Sequence, residues 1–357
     1  MTKFYPLPIR ELRRETADTV SIAFEVPDDL RTTFAFVQGQ HLTLRTTLGG
    51  EEVRRSYSIC TGTHEGDLRV AVKKVGGGVF STWANESLRP GDVLEVMPPQ
   101  GRFYVPLDPT NQKIYVAFAA GSGITPVLSI LKTTLATEPE SRFVLFYGNR
   151  GFDQIIFREE LELLKNRYPD RLAVHHILSR ESLGSPLFYG RLDSEKCRQF
   201  GRFFFQADEV DAYFLCGPEE MVFSVKDCLS EMGTDPKKIH FELFTTEGAK
   251  KRTASISTAA PRDSFDALVT LIQDGTQFDF LLPSDGSTLL DAAMRAGADL
   301  PYSCKGGVCS TCKARVLEGK VEMDINYGLE PDEVAAGYVL TCQSHPKTKR
   351  LVVSFDA

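Results

Sequence analysis

Four of the eight cysteines follow one spacing, Cys304, Cys309, Cys312 and, 29 residues further on, Cys342. The segment PYSCKGGVCSTC (301–312) carries three of them. Four thiols gathered on one centre constrain the backbone more tightly than any helix or strand pattern. A zinc site more usually shows two C-x2-C knuckles, and this chain has one such pair in the cluster. The spacing C-x4-C-x2-C with a distant fourth cysteine is that of a [2Fe–2S] centre, and zinc is the alternative reading. Gly306 and Gly307 let the backbone come close, so that its N–H groups can donate to sulfur. Ser303, Ser310 and Thr311 add small polar groups without bulk.

At 357 residues the chain is too long for one ordinary core, so two or three domains are expected. No apolar run has the length of a membrane span, and the opening MTKFYPLPIRELRRE lacks a signal peptide's apolar core. A cytoplasmic location is therefore expected, and in that compartment eight cysteines are not a disulfide scaffold. The net charge of −7 argues against nucleic acid as the main partner.

Residues 1–107 read as short strands divided by turns: HLTLRTTL (41–48), RSYSIC (55–60) and LRVAVKKV (68–75). That pattern predicts an antiparallel β-barrel or sandwich. Across 108–247 the pattern becomes strand–helix alternation, which predicts a doubly wound α/β sheet. KIYVAFAA, RFVLFYGNR, LAVHHILS and DAYFLCGP are its strands. Residues 248–264 read as a linker. In 265–357 a hairpin with Asp-Gly at its turn is followed by a capped amphipathic helix. This last module carries 13 acids against 8 bases, most of the chain's net negative charge.

Four further motifs carry candidate chemistry. In RRSYS, Arg55 can pair with a pyrophosphate oxygen and Tyr57 offers a flat face and a hydroxyl; an outward-facing barrel strand is the bland alternative. In KKVGGGVFSTW, glycines before a helix start form an anion nest around Gly78, Val79, Phe80 and Ser81. AAGSGITP follows a buried strand and opens a helix, so Gly121, Ser122, Gly123, Thr125 and Pro126 suit a second pyrophosphate. CGPEEM repeats that arrangement with Cys216, Gly217 and Pro218, and Cys216 is equally well read as a buried free thiol. Arg150 and Arg180 follow the second and third strands, where a coenzyme's 2′-phosphate would sit, with Asp153 and Glu181 beside them.

Taken together, these motifs resemble the ferredoxin–NADP reductase superfamily with a plant-type ferredoxin domain fused at the C-terminus, over nearly every residue. Within it, LPYSCKGGVCSTCKARVLEGKV and NYGLEPDEVAAGYVLTCQSHP are similar to the reductase subunits of bacterial phenylacetyl-CoA epoxidases. The resemblance implies a multidomain protein: a flavin barrel, a nucleotide domain and an α+β β-grasp ferredoxin domain. It implies FAD rather than FMN, a [2Fe–2S] cluster held by Cys304, Cys309, Cys312 and Cys342, and NADPH. Arg55, Ser56, Tyr57 and Ser58 would line the flavin, with Ser58 near its N5, and Gly78–Ser81 would hold its diphosphate. Cys216, Glu242 and Phe244 would approach the flavin from the nicotinamide side. The acceptor would be an oxygenase of a multicomponent system: the di-iron phenylacetyl-CoA epoxidase or, alternatively, a Rieske ring-hydroxylating dioxygenase. A zinc-stabilised or redox-sensing protein without turnover is the non-enzyme alternative.

Overall fold

A computed structural model describes residues 3–244, 265–283 and 286–357. The expected linker 248–264 lies outside them, as do Thr245 and Thr246. Packing divides the chain into two units, the larger built from Tyr5–Val53 with Tyr57–Phe244.

Its first sheet has six strands: β1 (Tyr5–Thr16), β2 (Thr19–Phe24), β3 (His41–Leu48), β4 (Glu51–Ser58), β5 (Leu68–Lys73) and β6 (Val93–Val96). They lie in the order β4-β3-β6-β1-β2-β5. β1 pairs antiparallel with β2 and β6, and β2 with β5. An antiparallel bridge from Ile59, just past β4, to Val70 of β5 joins the two outer strands and closes the sheet on itself. Leu7, Ile22, Leu42, Leu44, Val70, Leu94 and Val96 point inward and fill the barrel. The helix α1 (Val79–Glu86) adds Phe80 and Ala84 to that core.

The second sheet holds β7 (Ile114–Ala120), β8 (Arg142–Asn149), β9 (Leu172–Leu178), β10 (Ala212–Gly217) and β11 (Ile239–Leu243), ordered β11-β10-β7-β8-β9 with parallel pairing throughout. Helices α2 (Ile124–Thr137), α3 (Arg158–Arg167), α4 (Ser194–Phe203) and α5 (Glu219–Glu231) connect the strands. IYVAFAA is apolar at every position because helices cover both faces. Ala117 and Ala119 share a core with Leu128 and Leu131 of α2 and Leu161 of α3. On the opposite face Phe118 stacks on Phe146 (centroids 5.0 Å apart), and Phe146 stacks on Phe200 of α4 (4.3 Å).

The C-terminal residues form a mixed sheet of β12 (Ala267–Gln273), β13 (Thr276–Leu282), β14 (Lys313–Glu318), β16 (Tyr338–Leu340) and β18 (Arg350–Ser354), ordered β13-β12-β18-β14-β16. A two-stranded ribbon of β15 (Val321–Met323) and β17 (Ser344–Pro346) accompanies it. Asp274 and Gly275 sit at positive φ (51° and 70°), as a type I′ hairpin turn requires, and Asp356 accepts both of their N–H groups (2.7 and 2.9 Å). Helix α6 (Leu289–Arg295) is capped by the Thr288 hydroxyl, which accepts from Asp291 N. The short α7 (Pro331–Ala335) begins with proline. No helix among the described residues is long and apolar enough to cross a membrane.

Glu138, at the end of α2, has no exposed surface. Its carboxyl accepts from Asp108 N (3.1 Å), Asn111 Nδ2 (2.6 Å), Tyr115 OH (2.9 Å) and Ser141 Oγ (2.7 Å), which ties the segment leaving the barrel to the parallel sheet. Glu138→Ala strands several of these buried donors, so a loss of about 3 kcal/mol in unfolding free energy is expected from urea titration.

Candidate cluster, flavin and coenzyme sites

The cluster loop is held by its own backbone. Lys305 and Ser310 adopt φ of 52° and 55°, unusual for residues with side chains, and Gly307 lies at 75°. A Cβ on Gly307 would fall 2.9 Å from the Ile325 carbonyl oxygen, so only glycine fits. The Ser310 hydroxyl donates to the Gly328 carbonyl (2.5 Å) and pins the loop to the chain ahead of α7.

Within this frame the thiols meet in two pairs, Cys304 with Cys309 and Cys312 with Cys342. The Cys309 thiol brings Cys304 down to about 6; burial opposes this, and the N–H groups of Gly306, Val308 and Cys309 reinforce it. The Cys312 thiol likewise lowers Cys342, against burial. Gly306 N and Cys309 N lie 3.3 and 3.4 Å from Cys304 Sγ, Cys304 N lies 3.5 Å from Cys309 Sγ, and Gln343 Nε2 lies 3.7 Å from Cys342 Sγ. Four sulfurs brought together in two pairs, with N–H donors aimed at them, suit an iron–sulfur cluster, which takes all four as thiolates. Gln343, which also donates to the Lys305 carbonyl (3.0 Å), was not anticipated from the sequence; its place beside Cys342 is the only signal it gives there.

In the barrel, β4 carries Arg55, Ser56, Tyr57 and Ser58. Arg55 is exposed and its guanidinium donates to the Arg54 carbonyl. Tyr57 is half-buried and packs against Phe80 (5.5 Å), while Ser58 is buried. Gly78 is the N-cap of α1, Val79 is exposed at the helix start, and Gly76 and Gly77 face open space. The loop's small residues thus leave room for a phosphate before the helix. The Ser81 hydroxyl, expected at the anion, instead accepts from Val75 N and donates to the Gly78 carbonyl, both at 3.2 Å. It shapes the loop. His41, which opens β3, is buried; burial drops it to about 4, and its Nε2 has no partner among the described residues.

The coenzyme motifs meet at the carboxyl ends of β7 and β10. Gly121, Ser122 and Gly123 form a short turn between β7 and α2, Gly121 at a φ of 54°. A Cβ on Gly123 would lie 2.1 Å from the Cys216 carbonyl oxygen, so the turn packs directly on the CGP segment. Thr125 is buried and donates to the Ser122 carbonyl (3.0 Å), closing the turn, and Pro126 sits in the first helical turn. Gly217 ends β10 and Pro218 caps α5.

Cys216 is fully buried, and burial, then the Glu242 carboxyl, push its thiol up. In register across the sheet, Ala119, Cys216 and Glu242 stand side by side. Ser58 Oγ donates to Glu242 Oε2 (3.2 Å), so the flavin strand and the coenzyme sheet share a hydrogen bond. Burial lifts the Glu242 carboxyl to about 7, against the lowering effect of that bond. Phe244, 37% exposed, follows β11. Arg150 and Arg180 are exposed after β8 and β9, joined through the bond from Arg180 N to the Arg150 carbonyl (2.9 Å). Glu181 accepts from Phe152 N (2.8 Å).

Comparison with known proteins matches three domain families in chain order. The oxidoreductase FAD-binding domain matches residues 6–104, the oxidoreductase NAD-binding domain 118–227, and the 2Fe-2S iron-sulfur cluster binding domain 271–347. The chain is 48% identical to one subunit of the 1,2-phenylacetyl-CoA epoxidase of Escherichia coli (strain K12), over 100% of this chain and 99% of that protein. It is 36% identical to the 3-ketosteroid-9-alpha-monooxygenase ferredoxin reductase component of Rhodococcus rhodochrous, over 98% and 96% respectively. Among solved structures it is similar to phthalate dioxygenase reductase, with a TM-score of 0.59 and 25% identity, covering 99% of this chain and 98% of that one.

The raised carboxyl of Glu242 sets the sign of a pH effect. The native state favours its protonated form, so the stability this contributes is present below 4.5 and lost as pH rises to about 7. Glu242→Gln cannot titrate. The melting temperature of the parent chain should therefore fall relative to that variant between pH 4.5 and 7, read by calorimetry across a pH series. A constant difference would show that Glu242 does not titrate in that window.

Proposed function

Because the chain belongs to the ferredoxin–NADP reductase superfamily, in the branch with a C-terminal 2Fe-2S domain, we propose that it is the NADPH-dependent reductase of a multicomponent oxygenase, the phenylacetyl-CoA epoxidase. The observation that carries this reading is the end-to-end 48% identity to a polypeptide of that epoxidase. The boundaries we assign are 1–107 for the flavin barrel, 108–247 for the nucleotide domain, 248–264 for the linker and 265–357 for the ferredoxin domain. The location is cytoplasmic.

Bound FAD and a [2Fe–2S] cluster would supply the conversion of a hydride's two electrons into single ones. The chain's part is binding, order and exclusion. Cys304, Cys309, Cys312 and Cys342 hold the cluster. Arg55 would pair with the flavin diphosphate, Gly78–Ser81 would offer it a nest, and Ser56, Tyr57 and Ser58 would line the flavin. The turn from Gly121 to Pro126, with Gly217 and Pro218, would seat the coenzyme, and Phe244 would approach the flavin from the nicotinamide side. Glu242 holds a proton on its carboxyl and orients the Ser58 hydroxyl, with Cys216 packed beside it. NADPH is favoured over NADH because Glu181 is engaged by Phe152 N, while Arg150 and Arg180 are exposed at the same edge.

Mixing the chain with the oxygenase subunits of phenylacetyl-CoA epoxidase should give NADPH-dependent epoxidation. Support of a different oxygenase instead would reassign the partner.

Cys309→Ser should leave flavin content and NADPH–ferricyanide turnover near normal while abolishing delivery to cytochrome c or the oxygenase. Joint loss of both activities would mean that the cluster and flavin sites are not separable. Arg150→Ala with Arg180→Ala should weaken NADPH at least tenfold more than NADH, since a charge-assisted contact contributes about 1.5–3 kcal/mol. Equal weakening of both coenzymes would show that these arginines do not read the 2′-phosphate.

A further inference from the structure

One face of α2 is polar although the helix is buried. Ser129, Lys132 and Thr133 stand at i, i+3 and i+4 and so share that face. All three meet the loop that leaves β4. The Ser129 hydroxyl donates to the Thr61 carbonyl (2.7 Å), Thr63 N donates to Thr133 Oγ1 (3.2 Å), and Lys132 Nζ lies 3.0 Å from Glu65 Oε2. The same Glu65 oxygen accepts from Gly62 N (2.8 Å), which fixes the loop's shape around the ion pair. Lys132 is 4% exposed and also contacts Glu160 of α3. A buried ammonium persists only when paired, and here it lies between two carboxylates from different parts of the fold. Glu65 belongs to the flavin barrel, whereas Glu160 belongs to the same α/β layer as Lys132.

We propose that the Lys132–Glu65 ion pair is a positioning device for hydride transfer, holding the coenzyme-binding end of α2 in register with the flavin strand. The proposal rests on the coenzyme-site reading given above. α2 begins at the Gly121–Gly123 turn, and the loop it grips begins three residues beyond Ser58. Any slip of α2 along the loop therefore shifts the pyrophosphate turn relative to Ser58. Hydride transfer needs the reacting atoms about 3–3.5 Å apart, and a displacement of about 1 Å can cost a hundredfold in rate. The two neutral hydrogen bonds flank the ion pair, so the charges and the hydroxyls resist the same sliding motion.

Lys132→Met would leave two carboxylates facing each other and put the fold itself at risk, so the carboxylates are changed one at a time. Glu65→Gln removes the charge that crosses from barrel to α2. Glu160→Gln removes an equivalent charge inside the α/β layer and serves as the control. In the flavin-loaded full chain, Glu65→Gln should slow stopped-flow hydride transfer at saturating NADPH about tenfold or more, with the NADPH dissociation constant nearly unchanged. It should also diminish the long-wavelength absorbance of the coenzyme–flavin contact and raise hydrogen exchange in residues 61–65. Glu160→Gln should leave all three near the parent values. Equal slowing by both variants in step with their melting temperatures, or unchanged exchange at 61–65 in Glu65→Gln, would overturn the proposal. Failure of the parent chain to bind NADPH would instead overturn the coenzyme-site reading, and the exchange measurement would still decide the tie.

Discussion

The hydrogen bond from Ser58 to Glu242 joins residues 184 positions apart, and the candidate hydride-transfer site is arranged around it. The sheet order β11-β10-β7-β8-β9 runs outward in both directions from β7, so the chain changes direction between β7 and β10. Ligands of open α/β sheets sit beyond the strand ends at such a point. Here the Gly121–Gly123 turn, Cys216 and Glu242 occupy those ends, and Ser58 reaches them from the barrel. A carboxyl lifted to about 7 beside a hydroxyl is poised to exchange a proton near neutral pH.

The cluster loop obeys a different constraint. It is not held by helix or strand pairing but by residues in conformations that are costly outside glycine. Lys305 and Ser310 at positive φ are tolerated because Gly307, Gly328 and Gln343 leave the loop one compatible path. Cys312 and Cys342 belong to the buried core that contains Leu289, Leu290 and Leu340. The sulfur pairs are therefore anchored on one side by apolar packing and on the other by a strained backbone.

Much of this was legible in the sequence, for physical reasons. The cysteine spacing stands out because few backbones bring sulfurs together at those intervals. The strands β7 to β10 stand out because burial on both faces makes them apolar at every position. β1 and β2 did not stand out: YPLPIRELRRET mixes prolines with a charge run, and the strand bulges near Ile9 and Arg14. The hydroxyls of Ser81 and Thr125 looked like phosphate ligands, yet both close their own turns, since a short hydroxyl competes for the nearest backbone group. The Lys132–Glu65 pair spans 67 positions. Only the polar Ser-x-x-Lys-Thr stripe on an otherwise apolar helix hinted that something would meet it.

The bridge between Ile59 and Val70 has a consequence for how such a chain survives synthesis. By joining the two outermost strands to each other, it leaves less open edge for a neighbouring strand to extend. In a polypeptide carrying three larger sheets and a two-stranded ribbon among its described residues, the most dangerous error is one sheet extending into another before each has finished folding. The barrel is made before the two larger sheets that follow it, so its bridged edges are already joined to each other when their strands emerge.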